Sequence, residues 1–291
     1  MISDKLIQAF IELSRQIGAR PDYVQGAGGN TSVKIDSQQM AVKASGVLLQ
    51  DLTPQHGFSL VNFESIARRL KNTNLSEEAV TALIKEAVLN VKTRSALKPS
   101  METGFHALLP YPYVVHSHSI YANLLTCSQE GKALSKMLFP TSSWVDYANP
   151  GKALIAKFAE VNCAERYPNI IFLANHGIFI AADTATEAYC LHETVTMTIC
   201  DYFKIVPTFD VDNQPADLAF VKKHVLFPDQ VVYLLDESLA NTQAAKETLA
   251  AYHYLDEKIA DLGLTKRYIP VSDVAVIANM ENEKYRKSLV K

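Results

Sequence analysis

The chain has 291 residues, of which 48% are hydrophobic and 20% are charged, so it can bury a sizeable core and does not have the composition of a disordered protein. A formal net charge of −3, without a compact Lys/Arg cluster, argues against a general nucleic-acid partner. The sequence has no apolar run of about 18 residues and no signal-peptide core at its start, so we expect a cytoplasmic protein with no membrane partner.

The first part of the chain predicts a helix followed by a β-hairpin. Ser3 can cap a segment whose apolar residues have helical spacing, and Gly18 ends it. A glycine-rich segment over 23–32 then leads into short strands at 33–35 and 40–43, with a polar turn between them.

The glycine-rich segment contains a Gly-x-Gly pattern, but a hairpin follows it where a dinucleotide-binding fingerprint requires a helix. We interpret it as a backbone nest whose N–H groups meet an anion, assisted by the side chains of Asn30 and Thr31. Ser45, Gly46 and Ser100 could add donors to the same anion. An ordinary glycine turn beside two small polar turns is the alternative.

The middle of the chain alternates short helices and strands. Helices are predicted over 64–72, 76–91, 120–126, 131–138 and 151–161, and strands over 58–63, 113–115 and 143–147. Two apolar strands, 169–173 and 178–182, flank a tight turn, and Thr184 caps a helix that runs to about Phe203. The interspersed helices and hairpins predict an α/β fold with a mixed or antiparallel sheet.

From about residue 207 the chain becomes more polar, and helices are predicted over 216–224, 237–262, 271–279 and 281–289. We therefore expect a catalytic domain over 1–206 and a mostly helical C-terminal extension over 207–291 that packs on it.

Three histidines form a candidate metal site. His116 and His118 follow an apolar strand, and residues i and i+2 of a strand point to the same side. His176 lies in the tight turn and is the best third partner. Three neutral imidazoles leave positions open on a zinc-like ion, as catalytic sites do, and the four scattered cysteines offer no thiolate site. Ordinary structural histidines are the alternative.

Glu102 precedes His116 by fourteen residues, at the start of a predicted helix. An acidic residue in a first helical turn is favoured by the helix dipole, which is the plain explanation. The functional interpretation is a general base beside the metal, able to act as a ligand when no substrate is bound.

Five short motifs now stand in a characteristic order: Gly29-Asn30-Thr31-Ser32, Lys43-Ala44-Ser45-Gly46, Pro99-Ser100-x-Glu102, His116-x-His118 and Asn175-His176-Gly177. Over roughly residues 5–206 this order resembles the class II aldolase/adducin family. That family includes fuculose-1-phosphate and rhamnulose-1-phosphate aldolases, ribulose-5-phosphate 4-epimerase, and related decarboxylases and dehydratases.

The resemblance implies a three-layer α/β/α fold around a mixed, largely antiparallel sheet, and a homotetramer with active sites at subunit interfaces. It implies Zn²⁺ or another divalent metal as the cofactor and a sugar or sugar phosphate as the substrate. The implied metal ligands are His116, His118 and His176, and the implied acid/base is Glu102. The implied phosphate-binding residues are Asn30, Thr31, Ser45, Gly46 and Ser100.

The expected activity is that of a class II aldolase, which cleaves a ketose, in the first place a ketose 1-phosphate, to dihydroxyacetone phosphate and an aldehyde through a metal-bound enediolate. Met101 stands where the family pattern often has a second serine that holds phosphate, so a substrate without phosphate is an alternative. An epimerase, decarboxylase or dehydratase could use the same site. A non-catalytic, adducin-like assembly domain is disfavoured because all three histidines and the glutamate are present.

Overall fold

A computed structural model of the chain describes residues 2–71, 75–89, 97–100, 102–161, 168–212, 218–235, 239 and 242–279. Met101 and the predicted helix over 281–289 lie outside these ranges.

The centre of the fold is a seven-stranded sheet. Its strands are β1 (Asn30–Lys34), β2 (Gln39–Lys43), β3 (Phe58–Asn62), β4 (Tyr113–Ser117), β5 (Ser143–Val145), β6 (Ile170–Leu173) and β7 (Gly177–Ala182). They lie in the order β3-β2-β1-β4-β7-β6-β5. Only β5 and β6 pair in parallel, so the sheet is mixed and largely antiparallel, as the hairpins predicted.

Helices cover both faces of the sheet. Their bounds are α1 (Ile2–Gly18), α2 (Phe63–Leu70), α3 (Glu77–Glu86), α4 (Thr103–Leu108), α5 (Ile120–Thr126), α6 (Gly131–Leu138), α7 (Lys152–Val161), α8 (Ala185–Phe203), α9 (Leu218–Lys223), α10 (Pro228–Leu234) and α11 (Gln243–Asp261). Residues 49–51 form a short 3-10 turn, and residues 271–279 are also helical.

Two apolar cores lie on opposite faces of the sheet. One packs the sheet against α1, α5, α8 and α11, and the other packs it against α2, α3, α4 and α7. Along β4 the side chains alternate between them, with Val114 in the second core and Val115 in the first. This arrangement confirms the three-layer α/β/α fold and directs His116 to the face that carries α4.

Two of the predicted helices have different bounds in the structure, and one helix was not predicted. The helix predicted over 76–91 ends at Glu86, because Val88 forms a bridge with Val61 at the sheet edge and leaves the helical path. In the C-terminal region, α11 begins only at Gln243, where the Thr242 side chain accepts a hydrogen bond from the Ala245 N–H, and α10 was not predicted.

The C-terminal region is helical and lies against the β6–β7 turn. The Asn175 side chain donates hydrogen bonds to the carbonyls of Leu226 and Arg267, at 2.9 and 2.6 Å. The thiol of Cys127 donates to the same Leu226 carbonyl. The division of the chain at residue 206 stays a prediction. Among the described helices, none has the length and apolar character needed to cross a bilayer.

Candidate metal centre

Four side chains from three parts of the chain meet at one end of β4. His116 belongs to the strand, and His118 lies just beyond its last residue, Ser117. His176 lies in the turn between β6 and β7, where Asn175 adopts the left-handed conformation with φ of 56°. Glu102 immediately precedes α4. The ligand atoms of Glu102 and the three histidines all lie within 4.8 Å of one another.

The spacing of these atoms suits a metal ion. The Nε2 atoms of His116 and His118 are 3.1 Å apart. The Oε1 atom of Glu102 lies 3.2 Å from Nε2 of His116 and 3.5 Å from Nε2 of His176. Ligands held 2.0–2.1 Å from a tetrahedral ion are roughly 3.3 Å from one another. The cluster could therefore hold a divalent metal with nitrogen and oxygen ligands.

In two of these rings the Nδ1 atom, which points away from the cluster, also has a hydrogen-bond partner. Nδ1 of His116 donates to the Ile178 carbonyl at 3.0 Å, and the ring stacks on Phe179. Nδ1 of His118 lies 2.5 Å from Oδ2 of Asp229, in α10. Such partners hold the proton on Nδ1 and leave Nε2 free to bind a metal.

The Glu102 side chain lies on the solvent-accessible side of the cluster, with 22% of its surface exposed. Burial alone opposes its ionisation, but its contacts with the rings of His116 and His176 hold the pKa of Glu102 well below its usual range. Glu102 is therefore a carboxylate at neutral pH, the form that can accept a proton or bind a metal.

Lys43 is a functional candidate that had no role in the sequence analysis. Its side chain is 2% exposed, and Nζ donates to the Ala27 carbonyl at 2.9 Å. Burial lowers the pKa of Lys43 to about 8, while the nearby charges of Glu102 and Asp229 oppose that shift. The Nζ atom of Lys43 can donate hydrogen bonds to a ligand bound beside the cluster. The position of Lys43 two residues before Ser45 was the only sequence signal.

Asn30 lies on the same face as the cluster. It pairs with His116 across β1 and β4, which places the two side chains side by side. The residue is fully buried, and neither its Oδ1 nor its Nδ2 atom has a hydrogen-bond partner among the described residues. Because buried polar groups are nearly always paired, these two atoms indicate a place for a polar ligand.

Thr31, the next residue of β1, turns to the opposite face. Its hydroxyl shares a hydrogen bond of 2.7 Å with the hydroxyl of Ser14 in α1. The structure therefore does not bring the Thr31 side chain together with Asn30.

Ser45, Gly46 and Ser100 lie on adjoining segments, which a bridge between Ala44 and Pro99 holds side by side. Ser45 and Gly46 are exposed. The Ser100 hydroxyl accepts a hydrogen bond of 3.2 Å from the N–H of the following Glu102. These small polar groups thus adjoin the segment that carries the carboxylate.

The glycine-rich loop is already engaged by the C-terminal helices. The Gly26 N–H donates to Oε2 of Glu247 at 2.9 Å, and the Ala27 N–H donates to the Tyr233 hydroxyl at 3.0 Å. Two N–H groups of the predicted nest therefore meet acceptors of the chain itself. One of those acceptors, Glu247, is an anion.

Comparison with known proteins agrees with this architecture. The N-terminal class II aldolase domain of a conserved protein from Thermoplasma acidophilum superposes with a TM-score of 0.60 at 28% identity, covering 67% of this chain and 92% of that one. YgbL from Klebsiella pneumoniae has the same fold, with a TM-score of 0.52 at 23% identity over 75% of this chain and 97% of its own.

A curated relative, the uncharacterized oxidoreductase YuxG of Bacillus subtilis (strain 168), is 26% identical over 194 residues. The match covers 64% of this chain and only 28% of that relative. The model of the Class II Aldolase and Adducin N-terminal domain matches residues 8–200, a range that contains the three histidines and Glu102. The chain therefore belongs to the class II aldolase and adducin family.

Proposed function

We propose that the chain is a metal-dependent aldehyde-lyase that cleaves a ketose, in the first place a ketose 1-phosphate, to dihydroxyacetone phosphate and an aldehyde. The observation that carries the proposal is the convergence of His116, His118 and His176 with the partly exposed carboxylate of Glu102. A cluster with three neutral nitrogen ligands and an open side is typical of catalytic zinc.

In this proposal His116, His118 and His176 hold Zn²⁺ or another divalent ion, and Glu102 completes the ligand set when no substrate is present. The bound ion supplies Lewis acidity to the carbonyl oxygen of the ketose. Because the three imidazoles lie on strand ends and a tight turn of the sheet, they require little rearrangement to bind the ion.

Glu102 is the acid/base that transfers the proton of the reaction. When the C3–C4 bond breaks, the C4 hydroxyl loses its proton and becomes the aldehyde, and C3 must gain a proton to complete dihydroxyacetone phosphate. Glu102 is ionised and lies at the open side of the cluster, so it can take up a proton and return it to C3.

The anionic end of the substrate is assigned to the neighbourhood of Asn30 and of the Lys43 ammonium. The Nδ2 atom of Asn30, which has no hydrogen-bond partner within the described ranges, supplies a donor, and buried Lys43 supplies a positive charge. Ser45, Gly46 and Ser100 would complete the phosphate site. The phosphate-binding role of Thr31 stays a prediction. Its side chain contacts Ser14 on the opposite face of the sheet.

The same cluster would also serve an epimerase, decarboxylase or dehydratase, which are the alternative reactions. A non-catalytic, adducin-like role is disfavoured because all four members of the cluster are present and in contact. We also propose that the enzyme is cytoplasmic and is a homotetramer with its active sites at subunit interfaces, as the family resemblance implies.

The test is a screen of ketose 1-phosphates and free ketoses with the enzyme loaded with zinc, cobalt or manganese. Release of dihydroxyacetone phosphate and an aldehyde in equal amounts, lost after treatment with a chelator and restored by metal, is the expected result. Conversion of a sugar phosphate to an epimer without fragmentation would replace the lyase by the epimerase alternative.

A further inference from the structure

Asp229 connects the C-terminal region to the metal cluster. This residue is the second of α10, directly after Pro228, and is 5% exposed. Its Oδ2 atom lies 2.5 Å from Nδ1 of His118, across 111 positions of sequence. A buried carboxylate against a buried imidazole is costly unless the two groups are paired, so the contact is a specific one.

The contact determines which nitrogen of His118 faces the cluster. A carboxylate only accepts hydrogen bonds, so Nδ1 of His118 must carry the proton. The Nε2 atom is then left with its lone pair, 3.1 Å from Nε2 of His116. The Ile178 carbonyl of β7 orients His116 in the same way, by accepting a hydrogen bond from its Nδ1 atom. One ligand is thus oriented by the sheet and the other by the C-terminal region.

Hydrogen bonds fix the backbone just before Asp229, at the entry to α10. The Gln230 side chain accepts hydrogen bonds from the N–H groups of Leu226 and Phe227, at 2.6 and 3.2 Å, which fixes the entry to α10. The Leu226 carbonyl accepts a hydrogen bond from Asn175, the neighbour of His176. The entry to α10 is therefore tied to the turn that supplies the third histidine.

Gly28 shows how closely the glycine-rich loop fits this pair. A Cβ atom added at Gly28 would lie 2.9 Å from Oδ2 of Asp229 and 3.1 Å from Nδ1 of His118. A glycine at this position lets the loop close over the carboxylate, which then has little room for another position.

We propose that Asp229 is a positioning residue of the metal centre: its carboxylate holds the His118 ring with Nε2 towards the ion and so couples α10 to metal binding. The inference rests on the proposed metal centre and goes beyond it by adding a residue of the C-terminal region. Loss of such a carboxylate partner typically weakens metal binding about 10- to 100-fold.

The test compares Asp229→Ala and Asp229→Asn in the full chain. Dissociation constants for Zn²⁺ and Co²⁺ are measured by competition with a chromophoric chelator, and the visible spectrum of the Co²⁺ form reports the ligand geometry. Asp229→Ala should bind about 10- to 100-fold more weakly, with an altered spectrum. Asp229→Asn keeps an acceptor oxygen of the same size and should recover most of the affinity.

The matched control is Asp146→Asn, which removes an exposed carboxylate paired with Lys132 and should leave metal affinity unchanged. Wild-type affinity and spectrum in Asp229→Ala would overturn the proposal. The proposal would also be overturned if both Asp229 variants lost the same metal affinity together with the same decrease in melting temperature. A wild-type chain that binds no divalent ion would overturn the metal centre itself, whereas metal binding without ketose cleavage would contradict only the proposed reaction.

Discussion

The Nε2 atoms of His116 and His118 lie 3.1 Å apart, although the backbone leaves the β4 strand between the two residues. Their Nδ1 atoms point away from each other, to the Ile178 carbonyl and to the Asp229 carboxylate. The pair is thus two rings fixed from behind that present their free nitrogens to one point. This relationship is the basis of the proposed chemistry.

Glu102→Gln should separate metal binding from catalysis. Glutamine keeps the size of the side chain and removes its capacity to take up a proton. We expect turnover to fall about 10²- to 10⁴-fold, the usual worth of a general acid/base. Metal content should stay near one ion per chain, because three histidines remain. Loss of the metal together with activity would show that Glu102 is chiefly a ligand.

Asn30→Ala should weaken substrate binding without harming the fold. The buried Oδ1 and Nδ2 atoms of Asn30 have no partner among the described residues, so their removal relieves an unpaired polar group. We expect the free energy of unfolding to stay within about 1 kcal/mol of wild type or to rise. KM should increase roughly tenfold, as for a lost hydrogen bond. An unchanged KM would remove Asn30 from the substrate site.

The comparison for Asn30 is Ser32→Ala, on the same face of β1. The Ser32 hydroxyl is paired with Nδ1 of buried His106 at 2.8 Å, and burial lowers the pKa of His106 to about 3. Removing that hydroxyl leaves a buried polar atom unpaired. Chemical denaturation should therefore show a loss of about 1–3 kcal/mol in Ser32→Ala, in contrast to Asn30→Ala.

Lys43→Met should distinguish phosphorylated from free substrates. Methionine keeps the length of the side chain and removes its charge. A hydrogen bond to a charged group contributes about 1.5–3 kcal/mol, so KM for a ketose 1-phosphate should rise roughly 10- to 100-fold. KM for the free ketose should change much less. Equal effects on both substrates, with exposed Lys132→Met as the control, would place the phosphate elsewhere.

Protein stability should depend on pH through His192. Burial, aided by the charge of Arg20, lowers the pKa of His192 from 6.5 to about 4 against the opposing charge of Asp22. Below pH 6.5 the unfolded chain therefore binds a proton at His192 that the folded protein does not bind. The contribution of His192 to the free energy of unfolding is fully present above pH 6.5 and is lost as the pH falls towards 4. At pH 5 the loss amounts to about 2 kcal/mol.

Denaturation curves of wild type and His192→Gln at pH 7.5 and pH 5 provide the measurement. Glutamine can still accept the hydrogen bond that links His192 to Ser117 but does not titrate. The fall in unfolding free energy between the two pH values should be about 2 kcal/mol smaller in the variant. The exposed His56→Gln serves as control. An equal fall in all three proteins would show that His192 does not titrate as described.

Much of the fold was predictable because its signals are local. Apolar runs mark the strands of the β6–β7 hairpin, and the Thr184 cap with Glu187 three residues later marks the start of α8. The same holds for the cluster, since His116 and His118 are two residues apart on a strand end. His176 is the expected third partner from its place in the tight turn and from the family resemblance, and the structure brings the three histidines together.

The contributions of the C-terminal region were not predictable in this way. Asp229 reaches His118 across 111 positions, and Glu247 reaches Gly26 across 221, so no local pattern links them. Helix α10 is only seven residues long and shows no clear apolar period, although Pro228 followed by Asp229 is a typical helix start. The glycine-rich loop was interpreted as an anion nest because its partners are side chains that only the tertiary fold supplies.

The most direct test of the account is the metal content of His116→Ala/His118→Ala beside wild type, measured by elemental analysis after dialysis against a slight excess of zinc. Removing two of the three imidazoles leaves His176 and Glu102, too few ligands for tight binding. We predict one ion per chain in wild type and almost none in the double variant, which should also lack turnover. Retention of one ion per chain by the double variant would contradict the site.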